Sequence, residues 1–122
     1  MSAFFFQRIN DHIQYLRKLE KTLRDEGDFQ GTAHTDCKLG KWMYGDGRAE
    51  AEAEGAEALQ LFEGMFSHHQ AFHDAGHRAL DAKAAGDADG VKAAVTEMIK
   101  LSNTLIDILT TLDKISTSNS RK

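Results

Sequence analysis

The stretch LQLFEGMFSHHQAFHDAGHRAL, residues 59–80, decides the fold. Leu59, Phe62, Phe66, His69, His73, Gly76 and Leu80 recur at steps of three and four. That period sets side chains along one face of an α-helix, like the a and d positions of a bundle helix. Two consecutive positions of this seam are histidine, so the face expected to be driest carries two polar rings. The helix is expected to begin within Ala49 to Glu57, continue to about Ala85 and stop at Gly86.

The flanking sequence extends the same pattern. Upstream, Phe5, Ile9, Ile13, Leu16, Leu19 and Leu23 form an apolar stripe that predicts a first helix from about Ala3 to Asp25, capped by Gly27. His12 falls inside that stripe. A connection over Asp28 to Asp36 leads to a short predicted helix, Cys37 to Tyr44, with Thr35 or Asp36 as its cap and Gly45-Asp46-Gly47 as the following turn. Downstream, Val91, Ala94, Met98, Leu101, Leu105, Ile108, Leu112 and Ile115 predict a helix over Ala88 to Ile115. Val95, Ile99, Ile106 and Leu109 widen its apolar face beyond a narrow seam, which points to a subunit interface. The expectation is an all-α, antiparallel four-helix bundle with a short extra helix carrying Cys37, as one domain over residues 1–115 with a polar, frayed tail at 116–122.

Composition agrees with that class. The 122 residues fit one core, 41% are hydrophobic, 28% are charged and none is proline. The net charge of −4 and the scattered Lys and Arg residues lack the basic stripe that nucleic-acid binding requires. One cysteine cannot form an internal disulfide, and Met1-Ser2-Ala3-Phe4-Phe5-Phe6 lacks the features of a secretion signal, so a reducing cytoplasm is the expected compartment. No apolar run approaches the roughly 20 residues that span a bilayer. Any membrane contact is expected through a partner.

His69 and His73 are one helical turn apart, so both imidazoles can converge on one ion. His12 points into the same core from the first helix and Cys37 enters from the short one, giving three nitrogens and a thiolate, the donor set of tetrahedral zinc. At a helix start, free N–H groups and the helix dipole favour the Cys37 thiolate. A single core histidine with a hydrogen-bond partner is the ordinary explanation for His12 alone, but each further buried imidazole needs a partner of its own. His34, His68 and His77 compete as ligands and are better explained as surface residues, although His73 with His77 is a second pair four apart.

With His12, the string Cys37-Lys38-Leu39-Gly40-Lys41-Trp42-Met43-Tyr44-Gly45 and His69-Gln70-Ala71-Phe72-His73 in place, the chain resembles the chemoreceptor zinc-binding (CZB) domain family of bacteria. The resemblance implies that His12, Cys37, His69 and His73 bind one zinc ion in a homodimeric helical bundle. It further implies a non-catalytic sensory role, upstream of chemotaxis signalling or of a diguanylate cyclase making cyclic di-GMP, with zinc itself or an oxidant acting on the zinc-bound cysteine as signal. No cyclase or chemoreceptor signalling segment accompanies these motifs, so the chain is expected to be free-standing or an excised domain. Within the motif, Trp42 is expected to anchor the short helix, Gly40 to permit close approach, and Phe72 to belong to the core.

Three other functions are weaker on the residues present. A catalytic zinc site keeps one position for water and wants a base such as the Glu of His-Glu-x-x-His, which is absent. A di-iron bundle needs core carboxylates, and Asp74-x-x-His77 is the only approximation. A zinc-stabilised interaction bundle with no sensory output is the closest alternative.

Overall fold

The computed structural model describes the backbone over residues 3–120 and the side chains of Phe5–Ser120. Six helices follow one another: α1 (Ala3–Leu23), α2 (Lys38–Met43), α3 (Gly47–Ala53), α4 (Ala56–Glu63), α5 (Met65–Ala84) and α6 (Ala88–Ser120). No strand occurs among the described residues, and the fold is the expected all-α bundle. Helices α5 and α6 form an antiparallel hairpin closed at Gly86, whose φ of 73° ends α5. Asp87 then caps α6, its Oδ1 accepting the Gly90 N–H at 2.9 Å. Helix α6 also lies against α1 and α4, while α2 bridges α1 and α3.

Several boundaries differ from the sequence expectation, each for a local reason. Helix α1 ends through Asp25, at φ 62°, rather than through Gly27. The Glu26 N–H reaches back to the Lys21 carbonyl at 2.8 Å, the closing bond of a Schellman turn, and an aspartate tolerates the left-handed conformation it needs. The expected third helix is three pieces. Gly55, at φ 113°, separates α3 from α4, and Gly64 marks the break before α5.

Helix α6 continues to Ser120 instead of stopping at Ile115. The Ser116 hydroxyl donates to Glu54 Oε2 and the Asn119 amide to Glu54 Oε1, both at 2.9 Å, so the expected fraying has no counterpart over residues 116–120. Arg121 and Lys122, like Met1 and Ser2, lie outside the described residues.

The core runs along the α5–α6 hairpin and under α2, with Phe5, Leu19, Phe62, Phe72, Met98 and Leu105 almost wholly withdrawn from solvent. The buried line of α6 is Ala94, Met98, Ser102, Leu105, Leu109, Leu112 and Ser116. Leu101, Ile108 and Ile115, expected on that line, are half-buried at its margin. No helix is long and apolar enough to cross a membrane among the described residues.

Candidate metal centre

Cys37 reaches the centre because of how α2 begins. It is the N-cap of that helix, with extended backbone, and its Sγ accepts the Gly40 N–H at 3.2 Å. Sulfur thus takes the place that an oxygen of Thr35 or Asp36 was expected to fill. The segment before α2 crosses very close to Gly40: any Cβ there would collide with the His34 carbonyl and sit 3.3 Å from the His69 ring. Gly40 therefore permits close approach of this connecting strap rather than of another helix.

Trp42 holds α2 in register, its ring set edge-on against Phe5 and Phe62 at 5.8 and 5.5 Å. Its Nε1 donates to Glu50 Oε2 at 2.6 Å.

His69 and His73 come from the first half of α5, and both are buried, at 1% and 2% exposure. The nearest nitrogen of His69, Nε2, is 3.3 Å from Cys37 Sγ. The Nδ1 of His73 lies 3.0 Å from the Thr32 carbonyl, which can only accept, so Nδ1 carries the proton and Nε2 the free lone pair. Tyr15 buttresses the same peptide: its hydroxyl accepts the Thr32 N–H at 2.9 Å while its ring packs on His73 at 4.6 Å. The donor atoms of Cys37, His69 and His73 all lie within 4.8 Å of one another.

His12 is also buried, at 2% exposure, but is not among the three residues whose donor atoms converge. Its ring packs against Phe72, 4.6 Å away, and its Nε2 is 2.8 Å from Ser102 Oγ on α6. Phe72, fully buried, is the core residue expected. Of the competing histidines, His34 is half-buried with its ring 6.3 Å from that of His69, and His77 lies against the strap at Gly31. His68 is half-buried too. None of these three belongs to the converging group. Ser102 escaped the sequence reading, although its place four after Met98 and three before Leu105 put a hydroxyl on the buried face.

The electrostatics suit a cation. Burial first, and repulsion from neighbouring imidazoles second, lower the His12 pKa to about 4 and that of His69 to about 3. Burial likewise lowers His73 to about 4, against the opposing Thr32 hydrogen bond. The rings are therefore neutral at pH 7, the state in which imidazole donates to a metal. Burial also pushes the Cys37 thiol up, outweighing the backbone N–H groups of Gly40 and Leu39. The helix start alone therefore does not yield the thiolate expected there. A bound dication would, because its charge would replace the hydration that burial removed.

Distances agree: tetrahedral zinc with bonds of about 2.3 Å to sulfur and 2.0 Å to nitrogen separates those donors by about 3.5 Å. The Cys37 to His69 separation of 3.3 Å is close to that value. The Cys37–His69 pair therefore fits a zinc-type ion without rearrangement, and the soft thiolate and imidazole donors of the set suit zinc.

The chemoreceptor zinc-binding domain family model matches residues 12–80, more than half of the chain, from His12 through the end of the α5 seam. No curated protein and no solved structure matches the chain.

Proposed function

We propose, from the premise that the chain belongs to the chemoreceptor zinc-binding domain family, that it is a zinc-binding sensory module in which His12, Cys37, His69 and His73 hold one ion. The observation that carries this function is the buried convergence of Cys37, His69 and His73 within 4.8 Å. His12 is the fourth ligand in this assignment, supported by its burial and by the electrostatic influence it exerts on His69. When bound, zinc supplies a positive charge that stabilises the Cys37 thiolate and cross-links α1, α2 and α5.

The signal is read by Cys37. A peroxide-class oxidant forms an S–O bond with the thiolate sulfur while the O–O bond breaks and hydroxide leaves, giving a sulfenic acid. That group lacks the negative charge that makes the thiolate a strong ligand. Because Cys37 is also the N-cap of α2, its oxidation removes the negative charge from the sulfur that accepts the Gly40 N–H and weakens the cap at the start of the helix. Loss of zinc releases the same element without oxidation. Trp42 and Glu50 carry that change from α2 to α3.

Output passes to a signalling protein of the diguanylate cyclase or chemoreceptor type, with the chain acting as a homodimer rather than as a catalyst. Support for a dimer surface comes from α6, where Ile99 is 43% exposed beside half-buried Val95.

Zinc content and thiol state, followed together during titration with peroxide, test this function. Release of one zinc per Cys37 oxidised is expected, and Cys37→Ala and His73→Ala should each lower zinc affinity by at least about 100-fold. Variants that hold zinc as tightly as the parent would overturn the ligand assignment. Zinc retained after complete oxidation would leave a sensor of zinc itself or a zinc-stabilised interaction bundle.

A further inference from the structure

Four hydroxyl side chains along α6 follow one habit, whereas the two buried serines reach other elements, Ser116 to Glu54 and Ser102 to His12. Thr96, Thr104, Thr111 and Ser120 each donate to the carbonyl four residues earlier, on Lys92, Lys100, Asp107 and Ser116. That is the default bond of a serine or threonine within a helix. Ser102, 2% exposed, instead places its Oγ 2.8 Å from His12 Nε2, a contact spanning 90 residues of sequence. A buried hydroxyl directed at a ring nitrogen on another helix constrains that ring. Phe72 also packs against the same imidazole, with ring centroids 4.6 Å apart, so the ring has a second contact that opposes its rotation.

We propose that Ser102 is the positioning residue of the metal centre: its hydroxyl accepts the Nε2–H of His12, which leaves Nδ1 as the nitrogen that donates to zinc. The proposal rests on His12 being the fourth ligand. It parallels the arrangement at His73, where the Thr32 carbonyl fixes the proton on Nδ1 and leaves Nε2. The two outer bonds select opposite nitrogens on the two rings. A ligating histidine whose second nitrogen donates to an oxygen is more basic and holds its orientation, and loss of such an outer bond weakens metal binding by about 10- to 100-fold.

The consequence reaches beyond affinity. Helix α6 contributes no residue to the proposed ligand set, and Ser102 gives it a direct hydrogen bond to His12 of that set. Three residues before Ser102 stands Ile99, the exposed large apolar residue described on α6, so the bond ties His12 to the helix that carries this outward residue.

The test compares the parent with Ser102→Ala, Ser102→Thr and His12→Ala, using zinc alone against a competing chelator. Nitrogen-15 spectra of the imidazoles of the zinc-loaded parent are recorded in parallel. Expected are a 10- to 100-fold weaker affinity for Ser102→Ala, recovery towards the parent in Ser102→Thr, and a His12 ring in the Nε2–H form. A Ser102→Ala protein with parental affinity overturns the proposal, and if His12→Ala still loses zinc, the four-ligand assignment survives it. A His12→Ala protein with parental affinity overturns that assignment and the proposal together. The spectrum stands independently of how the variants fold: a His12 protonated at Nδ1 in the loaded parent overturns the proposal by itself.

Discussion

At the scale of single residues, burial converts three histidines into a pH-dependent liability when no metal is present. Their ordinary pKa of 6.5 applies in the unfolded chain, whereas the fold lowers His12 and His73 to about 4 and His69 to about 3. Between about pH 6.5 and 4 the unfolded state therefore binds more protons than the folded one, and stability rises with pH across that window. The contribution is fully present above 6.5 and is lost as pH falls towards 4. Metal-stripped protein is expected to lose stability steadily over that range in denaturant titrations, with uptake of about three protons on unfolding near pH 5. A flat profile from 6.5 to 4 would contradict the burial of these rings. Gly40 is constrained in a different way. Its missing Cβ is what lets the His34 carbonyl cross α2, so Gly40→Ala should destabilise the fold by about 1–3 kcal/mol and weaken metal binding through Cys37. Thermal unfolding with and without zinc separates the two effects.

At the scale of elements, α2 is a six-residue helix with too few turns to be stable alone, and its position depends on Trp42. The bond from Trp42 Nε1 to Glu50 is its polar anchor on α3. Glu50→Ala leaves that indole N–H without its acceptor and should cost about 1–3 kcal/mol, while Glu50→Gln, which keeps an acceptor, should recover part of the loss. Equal stability of the two variants in urea would show that only ring packing anchors α2. The long elements were legible in sequence because a period of three and four is a strong signal: α1, α5 and α6 all start or stop within a few residues of expectation. The divided third helix was less so. Gly55 and Gly64 each look tolerable inside a helix, and that both interrupt it depends on how α3 and α4 pack. The end of α6 was hidden for a related reason, since a polar run over 116–120 becomes ordered only when Glu54 arrives from a distant turn. In the centre, His69 and His73 were legible from spacing and Cys37 from its uniqueness, whereas Ser102 needed the azimuth of α6, which shifts when one helix packs on several neighbours.

At the scale of the whole molecule, the parts differ in how far they depend on a metal. The α5–α6 hairpin has its own apolar core, in which Phe72, Ala75, Ala79, Met98 and Leu105 are all fully withdrawn from water. The strap between α1 and α2 has little such support. It is held by Thr22 Oγ1 donating to the Phe29 carbonyl at 2.7 Å, by Tyr15 at the Thr32 N–H, and by His73 at the Thr32 carbonyl. Beyond those bonds its holds on the bundle are the Phe29 ring, edge-on to Tyr15 at 5.1 Å, and Cys37, where the ligand set would pull it inward. A structural metal contributes about 10–16 kcal/mol of apparent binding energy, comparable to the whole stability of a small domain, but it acts only on the segments it joins. Chelation should therefore open the molecule locally. Hydrogen exchange is expected to accelerate by at least about 100-fold in the strap and α2, and by less than about threefold at Leu105 and Leu109 on α6, because opening the strap leaves the hairpin core closed. If those α6 amides lose protection as fully as the strap, the metal folds the entire bundle and local release is not the switch. If the strap keeps its protection, Thr22 and Tyr15 suffice to hold it, and loss of metal has no structural consequence for a partner to read.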